Sequence, residues 1–150
     1  MGRSEDGSRS WPNNLEAQSL IVASILRVLL EGGIAKSSLY AEQFLSDIRK
    51  AGYPDPVDSN GLFSDIMDWL RDEGVIRFGQ VADDGNGGDL FCDVVITGYG
   101  MRLLGTKIES LSGTSAADAI MADRNASAPQ LVKLGGLIGG VIGGFAKSAS

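Results

Sequence analysis

The sequence predicts an α+β fold: three helices, then a β-hairpin, with an additional helical tail at the C-terminus. Three observations lead there. Residues Leu15 to Glu73 carry three stretches of helical apolar spacing, Val75 to Thr97 holds two β-rich runs around a turn-forming segment, and Gly135 to Gly144 repeats glycine pairs every four positions. At 150 residues, 43% hydrophobic and 21% charged, the chain has material for one core. The expected division is a disordered tail at 1–13, the main domain at 14–111, a linker at 112–130 with partial helix from Ser115 to Asp123, and an apolar glycine-rich tail at 131–150.

The first helix is expected from an Asn14 cap through Leu15 to about Leu30, ended by Gly32-Gly33. Its apolar residues Leu20, Ile21, Val22, Ile25, Leu26, Val28, Leu29 and Leu30 cover most of the circumference, which marks a central helix. A second helix is expected from Ser37 or Ser38 to Lys50, burying Tyr40, Phe44 and Ile48 with Leu45 beside them. The segment Gly52-Tyr53-Pro54-Asp55-Pro56 ends it, because proline lacks a backbone donor and disfavours helix in the residue before it. The third helix takes Ser59 or Asn60 as cap, runs to Glu73 and stops at Gly74; Phe63, Ile66 and Leu70 form its inner face. Strands are expected at Val75 to Val81 and Leu90 to Thr97, the segment between them forming a mobile tip. Leu90, Cys92, Val94 and Ile96 share one strand face, which would bury Cys92 as a small hydrophobe. Thr97 caps a helix from Gly98 to about Leu111, with Leu104, Ile108 and Leu111 in register.

Composition removes several classes of chemistry. Histidine is absent and Cys92 is the only cysteine, so no intrachain disulfide forms and a zinc site of the Cys/His type is excluded. No histidine is available to activate a serine or cysteine nucleophile, and no phosphate-cradling loop ending in Gly-Lys-Ser/Thr occurs. The Asp83-Asp84-Gly85-Asn86-Gly87 segment offers oxygens, but counted from Asp84 position six is Asp89 and position twelve is Val95, which breaks the EF-hand register. The expectation is a protein that is not an enzyme and has no cofactor. The start of the chain, Met1-Gly2-Arg3-Ser4-Glu5-Asp6-Gly7, lacks the apolar run of a secretory signal, and the expected location is cytoplasmic, with the inner membrane face as the alternative.

Three helices, a hairpin, and then Ile96-Thr97-Gly98-Tyr99-Gly100-Met101-Arg102-Leu103-Leu104 make an order that resembles the winged helix-turn-helix superfamily over roughly Leu15 to Leu111. Gly74-Val75-Ile76 looks like the hinge into the wing, and Thr97 with Gly100 and Leu103-Leu104 looks like its exit. The arrangement is also similar to a group of bacterial and phage proteins that join such a core to a lipophilic C-terminus. The resemblance implies a winged-helix-like domain whose third helix often enters the DNA major groove. The charges of this chain oppose that use. Asp65, Asp68 and Asp72 share one face of the third helix, Arg71 is its only base, and the hairpin tip adds Asp83, Asp84 and Asp89. The formal net charge of -6 and a pI near 4.5 likewise repel phosphate.

In the tail, Gly135, Gly136, Gly139, Gly140, Gly143 and Gly144 form a flat helical strip while Leu137, Ile138, Val141 and Ile142 project elsewhere, so another backbone can approach closely. Each interior glycine costs about 1 kcal/mol of helix stability relative to alanine, so such a helix needs a partner. The leading expectation is an interaction protein: the core binds protein or dimerises, and the tail residues 135–144 self-associate or meet a membrane. The uncharged stretch between Lys133 and Lys147 would be roughly 20 Å long as a helix, short of a bilayer core of about 30 Å. A flexible glycine-rich tail, or a helix docked on the domain's own surface, is the plainer alternative. Under the leading expectation Asp65, Asp68 and Asp72 are the partner surface. The alternatives are a DNA-binding regulator using Arg71 and Arg77, with nucleic acid disfavoured by charge, and a membrane-perturbing effector.

Overall fold

A computed structural model describes residues 15–142 apart from 51, 53, 57, 106, 109–113 and 123–127. The proposed cap Asn14, the tail 1–13, Leu111, Gly143 and Gly144 lie outside the described residues. The architecture is α+β: among the described residues, six helices surround a small antiparallel four-stranded sheet, with a second two-stranded pairing.

The central helix α1 (Leu15–Gly32) is buried along Leu20, Ile21, Val22, Ala23, Ile25, Leu26 and Leu29, as an almost wholly apolar circumference requires. Gly33, at φ +63, donates to the carbonyls of Leu29 and Leu30 and ends it. The next segment departs from expectation. Ser37–Tyr40 is a strand, β1, and the helix α2 begins only at Glu42 and runs to Lys50. Leu39 enters the core from β1, whereas Tyr40 is 37% exposed and does not join Phe44 and Ile48 in the buried stripe. Gln43 Oε1 accepts the Tyr40 N–H at 2.8 Å, fixing the turn from strand into helix.

Helix α3 (Ser59–Asp72) is capped by Asp58, not by Ser59 or Asn60: its Oδ1 accepts the Gly61 N–H at 3.0 Å. After it, the expected strand Val75 to Val81 is divided into β2 (Ile76–Arg77) and β3 (Gln80–Asp83), both paired with β4 (Asp89–Ile96). On its other side β4 pairs with β1, where the register slips between Ser37 and Leu39. The cause lies at Asp93, whose φ of +60 makes it a bulge residue. The bulge shifts the in-out phase, so Phe91, Val94 and Val95 are buried while Cys92 is only half-buried, correcting the expectation of a buried cysteine.

Helix α4 (Gly98–Leu104) has Thr97 as its cap and is shorter than expected. It stops at Gly105, and Ile108, expected on the same helix, belongs to β5 (Lys107–Ile108), paired with β6 (Thr114–Ser115). The region read as a linker contains α5 (Ala116–Ala122), whose Ile120 is 1% exposed. The last helix, α6 (Ala128–Ile142), sends Ile138 and Ile142 into the same apolar core as α1.

An aromatic chain unites the elements. Phe44 of α2 stacks on Phe63 of α3 at 5.6 Å, Phe63 meets Phe91 of β4 edge-on at 5.6 Å, and Phe91 meets Phe78 at 4.9 Å. At the surface, Arg49 grips Asp55 through two bonds of 2.9 and 2.7 Å and reaches Glu42 at 3.3 Å, tying the proline loop to α2. The Arg49 hydrogen bonds hold the Asp55 carboxyl below the usual carboxylate range. Its contribution to stability is therefore complete above the unfolded-state carboxyl pKa and is lost as pH falls through the lower folded value. An NMR titration should find Asp55 titrating below the ordinary aspartate value, and Arg49→Ala should return it there.

Candidate interaction surfaces

The acidic face of α3 is held in place at both helix ends. Asp58 fixes the start. At the end, Gly74 takes φ +83, its N–H bonds to the Arg71 carbonyl at 2.9 Å, and Val75 N–H reaches the Leu70 carbonyl at 2.9 Å. Thr97 reinforces this exit: its hydroxyl bonds to the carbonyls of Gly74 and Val75 and accepts the Gly100 N–H at 2.9 Å. Gly100 is required here, since a Cβ would lie 2.3 Å from the Val75 carbonyl oxygen.

With Phe63, Ile66, Met67 and Leu70 turned inward, Asp65 and Asp72 are exposed and Asp68 is half-buried. Arg71 is engaged among them. Its guanidinium lies 3.5 Å from Asp68, 3.4 Å from Asp72 and 5.1 Å from the centroid of the Phe78 ring. Exposed ion pairs of this kind add little stability, but a cation already facing two carboxylates and a ring is poorly placed to meet a phosphate. Arg77, the other base considered for DNA, is exposed on β2, a different element from Arg71.

The hairpin tip is closed by local hydrogen bonds. Asp84 Oδ1 accepts the N–H groups of Asn86 and Gly88 at 2.7 and 3.0 Å, Asp84 N–H reaches the Gly88 carbonyl at 3.0 Å, and Asp83 accepts Gly85 N–H at 2.8 Å. Ser64 of α3 donates to Asp89 at 2.9 Å. Gly88 is buried, and a Cβ on it would lie 2.5 Å from Asn60 Oδ1, so the tip rests directly on the start of α3. Among the described residues no group of three His, Cys, Asp or Glu side chains is placed to hold a metal ion.

The glycine strip of α6 has two sides. Gly135, Ile138, Gly139 and Ile142 are buried, and α6 makes its broadest contact with α1. A Cβ at Gly135 would lie 1.9 Å from the Ser19 carbonyl oxygen, so the two backbones approach as only glycine permits. The chain's own helix is thus one partner of the strip, as in the plainer alternative. Gly136 and Gly140 lie a hundred degrees further round the helix; a Cβ at Gly136 would still meet the Ser19 hydroxyl at 3.8 Å, so Gly140 is the one turned away from α1. Gly140 is exposed and a Cβ there would meet nothing within 4 Å, while Leu137 and Val141 are half-buried and Lys133 is exposed beside them. Sequence reasoning missed Ser19 as the seat of Gly135. The signal was available: Ser19 and Ala23 are small residues four apart in a helix otherwise rich in large apolar side chains. Among the described residues no helix is long and apolar enough to cross a membrane.

Set against models of protein families, curated proteins and solved structures, the chain matches none.

Proposed function

We propose that this protein is a non-enzymatic interaction module: a winged-helix-like core whose last helix offers its outer glycine ridge to a second copy of the chain. The order α1-β1-α2-α3 followed by a β-hairpin supports the winged-helix reading. The observation that carries the functional one is Gly140. It sits within a helix, costs about 1 kcal/mol relative to alanine, and has open space where its side chain would be. Among the described residues nothing packs against it that requires that smallness. A second helix approaching over Gly140, with Leu137 and Val141 alongside, would require it. An identical ridge in a second copy is complementary by symmetry, which makes a two-fold dimer the simplest assembly. The engagement of Arg71 and the carboxylates of α3 favour a protein partner over DNA for this module.

The test is sedimentation velocity of the full-length chain over a range of concentrations. Wild type should show a reversible dimer, and Gly140→Leu should weaken it at least about tenfold, equivalent to about 1.4 kcal/mol, with an unchanged circular dichroism spectrum. A wild type that is monomeric throughout, or a Gly140→Leu variant that dimerises equally well, would discard the reading. Flotation with anionic lipid vesicles in place of dimerisation would move it to a membrane surface.

A further inference from the structure

We propose that Asn86 is a site of spontaneous covalent modification, at which its side-chain amide converts to aspartate or isoaspartate through a cyclic imide, while the fold shields the same dipeptide at Asn60. The sequence contains two Asn-Gly pairs, Asn60-Gly61 and Asn86-Gly87. In such a pair the glycine nitrogen can attack the asparagine Cγ, because no Cβ on the following residue crowds the approach. A bond forms between the Gly87 nitrogen and Asn86 Cγ, the Cγ–Nδ2 bond breaks, and the amide leaves as ammonia, carrying away the proton lost by the Gly87 nitrogen. Water then opens the five-membered ring at one of its two carbonyls. One opening leaves aspartate; the other leaves isoaspartate, with the main chain lengthened by a methylene.

The attacking N–H must be free of hydrogen bonds and open to base. Asn86 and Gly87 are both exposed, and among the described residues the Gly87 N–H finds no acceptor. Gly61 differs on each point. Its N–H donates to Asp58 at 3.0 Å, within the first turn of α3, and the adjacent carboxylate opposes loss of the proton. The neighbouring Asp84-Gly85 pair is closed as well, since Gly85 N–H is bonded to Asp83 and Asp84 Oδ1 accepts two amides. Conversion at Asn86 adds a negative charge to the acidic tip, and the isoaspartate form lengthens the turn that rests on Asn60.

The experiment ages the full-length chain at mildly alkaline pH, folded and in parallel in concentrated urea, and maps its peptides by mass spectrometry with isoaspartate scored by enzymatic carboxyl methylation. In urea the two pairs should convert within about twofold of each other, since the chemistry is then local. In the folded protein Asn86 should stay within about threefold of its urea rate while Asn60 slows by about tenfold or more. Asp58→Ala should accelerate Asn60 and leave Asn86 unchanged. Equal rates at Asn60 and Asn86 in the folded chain, or an Asn86 slowed tenfold by folding, would overturn the assignment.

Discussion

Gly135→Leu is expected to dislodge α6 from α1, lowering stability by about 3 kcal/mol or more, at the upper end of what overpacking costs. The added atoms would begin inside the Ser19 backbone, and a carbonyl oxygen in the middle of a helix cannot rotate away as a side chain can. The gain in helix propensity, about 1 kcal/mol, offsets part of this. The sign should reverse one ridge further round. Gly140→Ala places its methyl in open space and should raise stability by up to about 1 kcal/mol. Urea unfolding of the two variants beside wild type, under conditions where the chain is monomeric, reads both signs. Equal effects at 135 and 140 would mean that the ridges do not differ as described.

Phe63→Ala should be at least as damaging, at about 3–5 kcal/mol. The ring is 1% exposed and lies between Phe44 and Phe91, so truncation removes both ring contacts and leaves a cavity where α2, α3 and β4 converge. Phe63→Leu refills part of the space and should recover about half of the loss. Calorimetric melting of the three proteins checks the order. A melting temperature for Phe63→Ala close to wild type would place the centre of the core elsewhere.

Much of this arrangement was legible in the residues. Helix α3 announces itself through the spacing of Phe63, Ile66 and Leu70 and through Gly74, because a left-handed helix end leaves glycine as the ready choice. Thr97 was legible as a side-chain cap, whereas the close approach of the Val75 carbonyl that demands glycine at Gly100 is set by the fold. Strand β1 was not. The apolar spacing of Tyr40, Phe44 and Ile48 fits a helix, and only pairing with the distant β4 makes Leu39 the buried residue instead. Cys92 was misplaced because alternation presumes an unbroken strand, and the bulge at Asp93 resets the count.

The glycine strip of α6 reads the same way whether its partner lies inside or outside the molecule. Both demand small residues at four-residue spacing, and nothing in the glycine pairs themselves separates Gly135 from Gly136. The separating information sits in α1, where the Ser19 backbone excludes a Cβ at Gly135 while the Ser19 hydroxyl leaves van der Waals room at Gly136. Arg71 teaches a related lesson: a lone base among acids was visible, but its contact with Phe78 depends on the hairpin returning to α3.

The seating of α6 on α1 also bears on how the chain comes to be folded. The ribosome releases α1 before any other described element and α6 after all of them, so the apolar side of α1 that receives Gly135 stays wet until translation has passed Ile142. Nascent chains or chains terminated before α6 then carry an unclosed hydrophobic furrow, the kind of surface that chaperones and proteases recognise, and emergence of α6 becomes the event that seals it.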